Sequence, residues 1–249
     1  MPRLAIAELF VQNAKVATTA DALRTSLLQS CEAMGVRYFA LTHHINFGRD
    51  GVPAIRLHNY PSRWEEWFDQ NELGRSDPIH RACHKASFGF PWAAVPDMIK
   101  LTPDDRYVLD RAYLVGIGEG FTIPASVPGE ILGSCSFAVD AGKPFPEEFH
   151  GVCQLVGGFA FEAARRLSGV RDMSIDHAAI LTDRQRDCVL WAARGKTDWE
   201  IAVILGVSHE TVIQHLKHAR ERYGVQKRAM LAVRALFDGL ISFSDILKH

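Results

Sequence analysis

The sequence has 249 residues, 47% of them hydrophobic and 23% charged, with a formal net charge of −1 at pH 7. This length and apolar content suffice for one large hydrophobic core or two smaller ones. No segment approaches the ~18 consecutive apolar residues of a membrane-spanning helix, so we expect no membrane insertion. Five cysteines without a CxxC pair, and no secretory signal pattern, predict a reduced, cytoplasmic protein.

The first part of the chain predicts helices packed on a mostly antiparallel sheet. Residues 4–34 are helix-like, with apolar positions at three- and four-residue steps, and a second helix is predicted near residues 103–115. Four segments predict strands, in two pairs: RYFALTHHI with PAIRLHNY, and GEGFTIPAS with ILGSCSFAVDA. Because the turns between them are short and favour antiparallel pairing, we expect an α/β/α sandwich with a pocket between sheet and helices.

A long amphipathic helix over residues 146–168 ends this part of the chain. Six residues form its predicted apolar stripe: Phe149, Val152, Cys153, Val156, Phe159 and Ala160. The helix is predicted to end near Gly169, and the polar stretch GVRDMSIDHA that follows predicts a linker. The expected bounds are 1–170 for the N-terminal domain, 171–180 for the linker and 181–249 for the C-terminal domain.

Two helix starts and a tight turn mark the C-terminal segment. Thr182 precedes Gln185, and Thr197 precedes Glu200, at the spacing of a capping box. The three residues GVS then separate the second helix from a third, whose N-cap is the serine of that turn. Two helices joined by so few residues predict a helix-turn-helix in an all-α bundle.

The helix after this turn has an apolar and a polar face. Its predicted core positions fall at helical spacing: Val212, Leu216, Ala219 and Tyr223. The opposite face carries the candidate DNA-reading residues Ile213, Gln214, Lys217 and Arg220. In a major groove an apolar side chain meets thymine methyl groups, Gln reads adenine and Lys reaches guanine. A solvated basic helix on a small bundle is the alternative interpretation.

Charge supports nucleic-acid binding only through clustering. Residues 1–174 contain 17 Lys and Arg against 20 Asp and Glu, whereas residues 175–249 contain 11 against 9. Residues 209–228 alone hold five basic and two acidic side chains. Contacts with DNA phosphates are predicted at Lys196, Thr197, Lys227 and Arg228.

The C-terminal segment resembles the LuxR-type DNA-binding domain over about 60 residues, and the motifs GKT, EIA, TV, HL and GV stand in that family's register. The resemblance implies a transcription regulator that binds double-stranded DNA. Two positions depart from the family pattern: Gln185 stands where Glu is usual, and Val189 where Leu is usual. Gln185 still completes the capping box but lacks the charge that favours a helix N-terminus, so we expect an intact fold at a cost of ~0.3 to 1 kcal/mol.

The N-terminal part resembles the autoinducer-binding domain of quorum-sensing regulators over roughly residues 15–170. The likeness rests on the stretch NYPSRWEEWFDQNELGRSDP and on the spacing of Tyr60, Trp64, Asp77, Pro78, Trp92, Gly120 and Ser136. It implies an N-acyl-homoserine lactone as ligand and a homodimer on an inverted-repeat operator, with RNA polymerase as a further partner. It implies no cofactor, no metal and no catalytic residue.

The residue types suit the polar groups of such a lactone. Trp64 offers one donor and no acceptor, which suits the lactone carbonyl, and an ionised Asp77 only accepts, which suits the amide N–H. The hydroxyls of Tyr60 and Ser136 suit the acyl carbonyl, and Trp92 would close the pocket around the ring. Taken alone, Asp77 before a proline is typical of a helix N-cap, and one residue can serve both purposes.

The helix around Trp64 is predicted to begin with a capping box of Ser62 and Glu65, which places Phe68 one turn after Trp64. The family usually carries Tyr at the position of Phe68, so one hydrogen bond to the acyl carbonyl is missing unless a nearby hydroxyl or water supplies it. By resemblance, further residues line the pocket near the acyl chain: Phe39, Leu41, Leu109, Ala112, Ile117 and Thr122.

The sequence supports a metal site or an enzyme active site less well than it supports a ligand-binding regulator. His80, Cys83 and His84 lie at helical spacing but lack an evident fourth ligand. This favours a helix on which some of these side chains are in the core and others on the surface, over a metal site. His43 and His44 lie in a strand pattern, where one ring would point inward and the other outward. Neither the wider constellation of a metallo-lactonase nor a GxSxG elbow is present. We expect a ligand-responsive regulator, with a regulator of a non-cognate or non-lactone signal and a lactone-hydrolysing enzyme as the alternatives.

Overall fold

A computed structural model describes residues 2–47, 54–127, 130–169 and 181–247. The chain separates into two compact units, and the division falls at residues 173 and 174. The predicted linker at 171–180 and most of the predicted turn NFGRDGV lie outside the described residues. Among the helices of the described part, none is long and apolar enough to cross a membrane.

The N-terminal unit alternates helices and strands. Its α-helices are α1 (Arg3–Val16), α2 (Ala20–Met34), α3 (Ser62–Gln70), α4 (Pro78–Cys83), α5 (Val95–Met98), α6 (Pro103–Leu114) and α7 (His150–Ser168). Its strands are β1 (Tyr38–His43), β2 (Arg56–His58), β3 (Phe90–Pro91), β4 (Ile117–Ala125) and β5 (Gly133–Asp140). Single 3-10 turns at Trp92–Ala94 and Glu147–Phe149 precede α5 and α7.

The five strands form one antiparallel sheet in the order β2-β1-β5-β4-β3. Helices α1, α2 and α7 pack on one face and bury a core there that includes Phe10, Leu27 and Phe137. The shorter helices α3, α4 and α6 lie over the other face. The predicted α/β/α sandwich with an antiparallel sheet is therefore confirmed.

Residues 4–34 form two helices rather than one. The chain leaves α1 at Ala17 in an extended conformation, and the hydroxyl of Thr19 accepts the backbone N–H of Ala22 at 3.2 Å to start α2. Gly35 ends α2 in the left-handed conformation, with φ of 71°. The break lets both helices pack against α7.

The apolar stripe of α7 differs from the predicted one. Phe159 is 42% exposed, whereas Phe161 is buried and meets the ring of His43 edge-on at 5.5 Å. Phe161 is the buried residue because α7 packs against both the sheet and α1. Contrary to the sequence expectation, His43 and His44 are both buried, since helices cover both faces of the sheet; His44 stacks on His80 with 3.9 Å between ring centroids.

The C-terminal unit is an all-α bundle. Its helices are α8 (Asp183–Ala193), α9 (Asp198–Leu205), α10 (His209–Tyr223), α11 (Arg228–Phe237) and α12 (Phe243–Leu247). The capping boxes of Thr182 with Gln185 and of Thr197 with Glu200 are both formed, and Ser208 caps α10. All predicted core positions of α10 are buried: Val212, Leu216, Ala219 and Tyr223. The predicted helix-turn-helix, α9 followed by α10, is therefore confirmed.

Candidate functional site

A cavity lies between the sheet and helices α3, α4 and α6, with about 810 Å³ of empty space, part of it open to solvent. One row of directly paired residues crosses the sheet beneath it: Phe90, Thr122, Ser136, Ala40 and His58. Directly paired residues of antiparallel strands point to the same face, so these side chains share the face under the cavity. Because the methyl group of Ala40 takes little space, the cavity extends past it from Ser136 to His58.

Helix α3 forms one wall of the cavity. Its N-cap is Pro61 and no side chain caps it, so the predicted capping box of Ser62 and Glu65 is wrong. The carboxylate of Glu65 instead lies 3.1 Å from the guanidinium of Arg56 and 3.3 Å from Nε2 of His58. Arg56 and His58 belong to β2, an edge strand of the sheet. Their contacts hold the carboxylate of Glu65 away from the N-terminus of α3.

Asp77 caps α4 and also lines the cavity. Its Oδ1 accepts the backbone N–H groups of Ile79 at 2.8 Å and His80 at 3.0 Å. No described residue donates a hydrogen bond to its Oδ2. Since only 6% of the residue is exposed, this buried carboxylate keeps one oxygen for a donor inside the cavity.

Two donors line the same space as Asp77. The indole N–H of Trp64 and the hydroxyl of Tyr60 make no hydrogen bond to any described residue. Burial, assisted by the negative charge of Asp77, raises the pKa of Tyr60 and keeps its phenol protonated. Trp64 is itself buried, with its ring 5.8 Å from that of Phe68. The cavity therefore presents two unused donors and one unused acceptor oxygen.

Trp92 lines the end of the cavity next to β3. Its indole N–H donates to the hydroxyl of Thr122 at 2.8 Å, and that hydroxyl lies 2.8 Å from the hydroxyl of Ser136. When the hydroxyl of Thr122 donates its hydrogen bond to the oxygen of Ser136, the hydroxyl of Ser136 is free to donate to a ligand. Close packing of this tryptophan requires Gly120, because a Cβ there would lie 2.5 Å from the indole ring.

In the C-terminal unit, the face of α10 opposite its core is polar. Gln214 and Lys217 are exposed, and Ile213 and Arg220 are half-buried. The ammonium of Lys217 lies 4.0 Å from the exposed carboxylate of Glu221, one turn later. Exposed pairs of this kind are weak, so the ammonium remains available to another anion.

The residues predicted to contact DNA phosphates have different surroundings. Arg228 bonds the carboxylate of Asp198 and, at 2.5 Å, the carbonyl of Lys196. The N–H and hydroxyl of Thr197 both donate to the capping-box carboxylate. The side chain of Lys227 is exposed, and its ammonium bonds no described residue. Thr197 and Arg228 thus hold the N-terminus of α9 in place, whereas Lys227 is unengaged.

Two family models match the chain. The autoinducer-binding domain matches residues 19–167, and the bacterial regulatory proteins of the luxR family match residues 179–235. The chain belongs to the LuxR family of autoinducer-binding transcription regulators.

Individual LuxR-family proteins are similar over most of the chain. The quorum sensing-dependent regulator RpaR of Rhodopseudomonas palustris is 30% identical over 193 residues, which cover 77% of each protein. The HTH-type regulator y4qH of Sinorhizobium fredii is 26% identical over 80% of this chain, which spans 60% of that protein's length and so less than two thirds of it. The solved structure of SdiA in complex with octanoyl-rac-glycerol shares the fold, with a TM-score of 0.62 and 20% identity over 97% of this chain and 98% of SdiA.

The cavity of this LuxR-family chain brings together most of the predicted ligand-binding residues. Nine line it: Tyr60, Trp64, Phe68, Asp77, Trp92, Leu109, Ala112, Ile117 and Ser136. The prediction that Phe39 and Leu41 line it is wrong, because both point to the opposite face of the sheet and pack in the core with α1, α2 and α7. Thr122 lies one layer behind the surface of the cavity, where it holds Trp92 and Ser136.

Sequence reasoning missed several lining residues that come from β1, β2, α3 and α4. The polar ones are Thr42, His43, Arg56, His58, Glu65 and His80. The period-two spacing of Ala40 with Thr42, and of Arg56 with His58 and Tyr60, is a signal that would have identified one shared face. This spacing alone does not show which face lines the cavity, because helices bury both faces of this sheet.

The departures from the LuxR-family pattern are accommodated locally. Gln185 is buried and its side-chain oxygen accepts the backbone N–H of Thr182 at 3.1 Å, so the capping box forms without the charge. Val189 is fully buried in the core of the bundle. Nδ1 of His80 donates to the carbonyl of Gly74, 2.8 Å away. The described residues contain no cluster of three or more metal-ligating side chains.

Proposed function

We propose that this LuxR-family protein is a cytoplasmic transcription regulator that binds an N-acyl-homoserine lactone in its N-terminal unit. It would act as a homodimer that presents two α10 helices to an inverted-repeat operator. The symmetry of such a dimer would match the symmetry of the DNA site. It binds and releases the lactone without turnover.

The observation that carries the proposal is the unused oxygen of Asp77 beside two unused donors. In this cavity Oδ2 of Asp77 would accept the amide N–H of the ligand, and the indole of Trp64 would donate to the lactone carbonyl. The hydroxyls of Tyr60 and Ser136 would donate to the acyl carbonyl. Each polar group of the lactone head then has a partner, which a buried site requires.

DNA recognition would rest on the polar face of α10, with Ile213, Gln214, Lys217 and Arg220 directed to base edges. Lys196 and Lys227 are proposed to contact phosphates directly. Thr197 and Arg228 are proposed to support them by holding the N-terminus of α9, since both have intramolecular partners. The direct phosphate contacts are proposed for Lys227, whose ammonium bonds no described residue, and for Lys196, whose ammonium forms an exposed and therefore weak ion pair with Glu200 at 3.1 Å.

Dimerisation is supported by an exposed apolar surface on two packed helices. Leu9 of α1 is 45% exposed, and Leu155 and Phe159 of α7 are 40% and 42% exposed. Helices α1 and α7 are in contact, and we propose that a second copy of the chain covers these exposed apolar residues. Ligand that binds the folded state stabilises it by mass action, and operator affinity rises with ligand if both favour the same dimer arrangement.

The deciding experiment is to express the protein with and without a panel of N-acyl-homoserine lactones. The lactone that co-purifies is then identified by mass spectrometry, and thermal stabilisation is measured with the same panel. We expect one lactone class to be recovered intact and to raise the melting temperature. Recovery of hydrolysed lactone would instead favour the enzyme alternative, and no effect of any lactone would contradict the proposal.

A second candidate is a LuxR-family regulator that senses a non-lactone or non-cognate molecule. Phe68 favours it, because this residue packs in the cavity but offers no hydroxyl to an acyl carbonyl. SdiA, which shares the fold, was solved with octanoyl-rac-glycerol. Stabilisation by acylglycerols and not by lactones would select this candidate.

A further inference from the structure

Three side chains at the end of the cavity next to β3 form a continuous hydrogen-bonded chain. The indole N–H of Trp92 donates to Oγ1 of Thr122 at 2.8 Å, and Oγ1 of Thr122 lies 2.8 Å from Oγ of Ser136. Trp92 and Ser136 line the cavity, whereas Thr122 is fully buried between them. The chain therefore starts at one residue of the cavity wall and ends at another.

Strand pairing sets the geometry of this chain. Thr122 of β4 pairs directly with Ser136 of β5 and with Phe90 of β3, two residues before Trp92. Directly paired residues have their Cβ atoms about 5 Å apart on one face of the sheet, a spacing that lets two hydroxyls bond. Thr122 is also β-branched, so its χ1 angle is restricted. Backbone pairing therefore sets the positions of the two hydroxyls before any ligand binds.

The direction of the chain follows from the groups in it. An indole N–H only donates, so Oγ1 of Thr122 must accept from Trp92. Among the described residues only Trp92 and Ser136 bond this hydroxyl, so the acceptor for its own proton is the oxygen of Ser136. In the opposite direction the proton of Thr122, a residue with no exposed surface, would be left without an acceptor. Trp92 thus donates to Thr122, and Thr122 donates to Ser136.

This direction decides what Ser136 can do in the cavity. Its oxygen accepts from Thr122, and its own proton has no acceptor among the described residues, so the hydroxyl presents a donor to the cavity. Hydrogen bonds in a chain polarise one another, which makes Ser136 a stronger donor than an isolated hydroxyl. The ligand group that meets Ser136 must therefore be an acceptor, such as a carbonyl oxygen.

We propose, on the basis of the proposed function, that Thr122 is a positioning residue that holds the proton of Ser136 toward the acyl carbonyl of the ligand. Thr122 itself does not line the cavity. Without its hydroxyl the serine side chain can rotate, and the donor is no longer oriented before the ligand arrives. An oriented donor binds more tightly, because less rotamer freedom is lost on binding.

The test uses the full-length protein and the tightest-binding of hexanoyl-, octanoyl- and decanoyl-homoserine lactone, labelled with ¹³C at the acyl carbonyl. A hydrogen bond lowers the stretching frequency of a carbonyl group, and infrared difference spectra of the labelled and unlabelled compounds isolate that one group. Thr122→Val replaces the hydroxyl with a methyl group, whereas Thr122→Ser keeps a hydroxyl. We expect a higher carbonyl frequency and about fivefold weaker binding in Thr122→Val, and wild-type values of both in Thr122→Ser.

Ser136→Ala decides whether Thr122 acts through Ser136. Loss of the serine hydroxyl should raise the carbonyl frequency at least as much as Thr122→Val does. In the double variant, Thr122→Val should then cause no further rise in frequency and no further loss of affinity, because the donor that it orients is already absent. A residue that only supports the fold would instead weaken binding by the same factor in both backgrounds.

Trp92→Phe tests the chain from its other end and replaces Thr122→Val if that variant does not fold. Without the indole N–H, Thr122 can accept from Ser136, which turns the serine proton away from the cavity although both hydroxyls remain. The carbonyl frequency should therefore rise in this variant as well.

The outcomes separate this inference from the proposed function. An unchanged carbonyl frequency in Thr122→Val, or in Trp92→Phe if Thr122→Val does not fold, would overturn the positioning role and leave lactone binding standing. An effect of Thr122→Val that persists in full in the Ser136→Ala background would do the same. If none of the three lactones binds, both the proposed function and the inference fail.

Discussion

Asp77 accepts the backbone N–H of Ile79 through Oδ1 at 2.8 Å and leaves Oδ2 to the cavity. One carboxylate thus starts helix α4 and offers an acceptor to a ligand. Loss of the side chain removes both functions at once, so a single alanine substitution does not distinguish a structural role from a binding role. Two substitutions of Asp77 do distinguish them.

Asp77→Asn should retain the cap and lose the ligand, because an asparagine oxygen still accepts from Ile79 whereas its amide group donates where Oδ2 accepted. The unliganded protein should unfold within about 0.5 kcal/mol of wild type, and stabilisation by lactone should disappear. Asp77→Ala should also lose ~0.5 to 2 kcal/mol of intrinsic stability. Thermal unfolding with and without lactone checks both. Undiminished lactone stabilisation of Asp77→Asn would contradict the assignment.

Phe68→Tyr restores the phenol that the LuxR family usually carries at this position. Phe68 lines the cavity beside Trp64, so the new hydroxyl should reach the acyl carbonyl and contribute ~0.5 to 1.5 kcal/mol. Calorimetry should show tighter binding of the lactone that co-purifies with wild type. Phe68→Leu is the control, since it adds no donor and should not tighten binding. A Tyr variant with weaker affinity for every lactone would indicate a different acyl placement.

Lys217→Ala should weaken operator binding by ~1 to 3 kcal/mol, because this exposed lysine lies on the face of α10 that is proposed to read base edges. The operator is first selected from random duplexes, and affinities are then measured by fluorescence anisotropy. Stabilisation by lactone should be unchanged. Glu221→Gln is the matched control: it removes the carboxylate 4.0 Å from Lys217 and should leave DNA affinity equal or higher. Unaltered DNA binding by Lys217→Ala would place the recognition surface elsewhere.

Arg228→Ala and Lys227→Ala are neighbouring substitutions with opposite expected effects. Arg228 bonds Asp198 and the carbonyl of Lys196, so its loss should destabilise the C-terminal unit by about 1 kcal/mol. The ammonium of Lys227 is exposed and bonds no described residue, so its loss should spare stability. It should lower the number of ions released on DNA binding, measured from the salt dependence, by about one. Urea unfolding and a salt titration of DNA affinity measure the two effects. If Arg228→Ala reduced the salt dependence and Lys227→Ala reduced the stability, Arg228 would be the phosphate contact.

Acidification should destabilise the N-terminal unit. Burial lowers the pKa of His43, His44 and His58 below the ordinary value of 6.5, with the neighbouring His80 adding to the shift at His44. The unfolded chain therefore binds more protons, and stability is full above pH 6.5 and falls below it, by up to about 1.4 kcal/mol per pH unit for each histidine. Urea unfolding across this range should give a shallower slope for His44→Phe. The exposed His218→Gln should leave the slope unchanged; equal slopes in all three proteins would contradict the prediction.

Local sequence determined the helix-turn-helix and the cap at Asp77. Each capping box depends on residues three apart, and the faces of α10 depend on the helical repeat alone. The start of α4 likewise needs only Asp77, the proline after it and two backbone N–H groups. The failed capping box of Ser62 and Glu65 marks the limit of such signals, because a cation on another strand attracted the same carboxylate.

Tertiary structure decided which residues of β1 meet the cavity. Alternation along a strand shows that neighbouring residues face opposite ways, and it identifies the inner face only when the other face is exposed to water. Here both faces are covered by helices, so Phe39 and Leu41 enter one core while Ala40 and Thr42 face the cavity. The residues of β1 that line the cavity are therefore the neighbours of the predicted ones along the strand.

The far end of the cavity depends on strand pairing as well. Residues Arg56 and His58 reach it because β2 lies beside β1 in the sheet, and Glu65 meets them from a helix. The sequence by itself determined the family, the helix-turn-helix and the choice of Tyr60, Trp64 and Asp77 as proposed ligand-binding residues, since these rest on short-range spacing. Only the folded sheet placed Ser136, Ala40 and His58 in one row, because that row joins segments distant in sequence through backbone hydrogen bonds between strands.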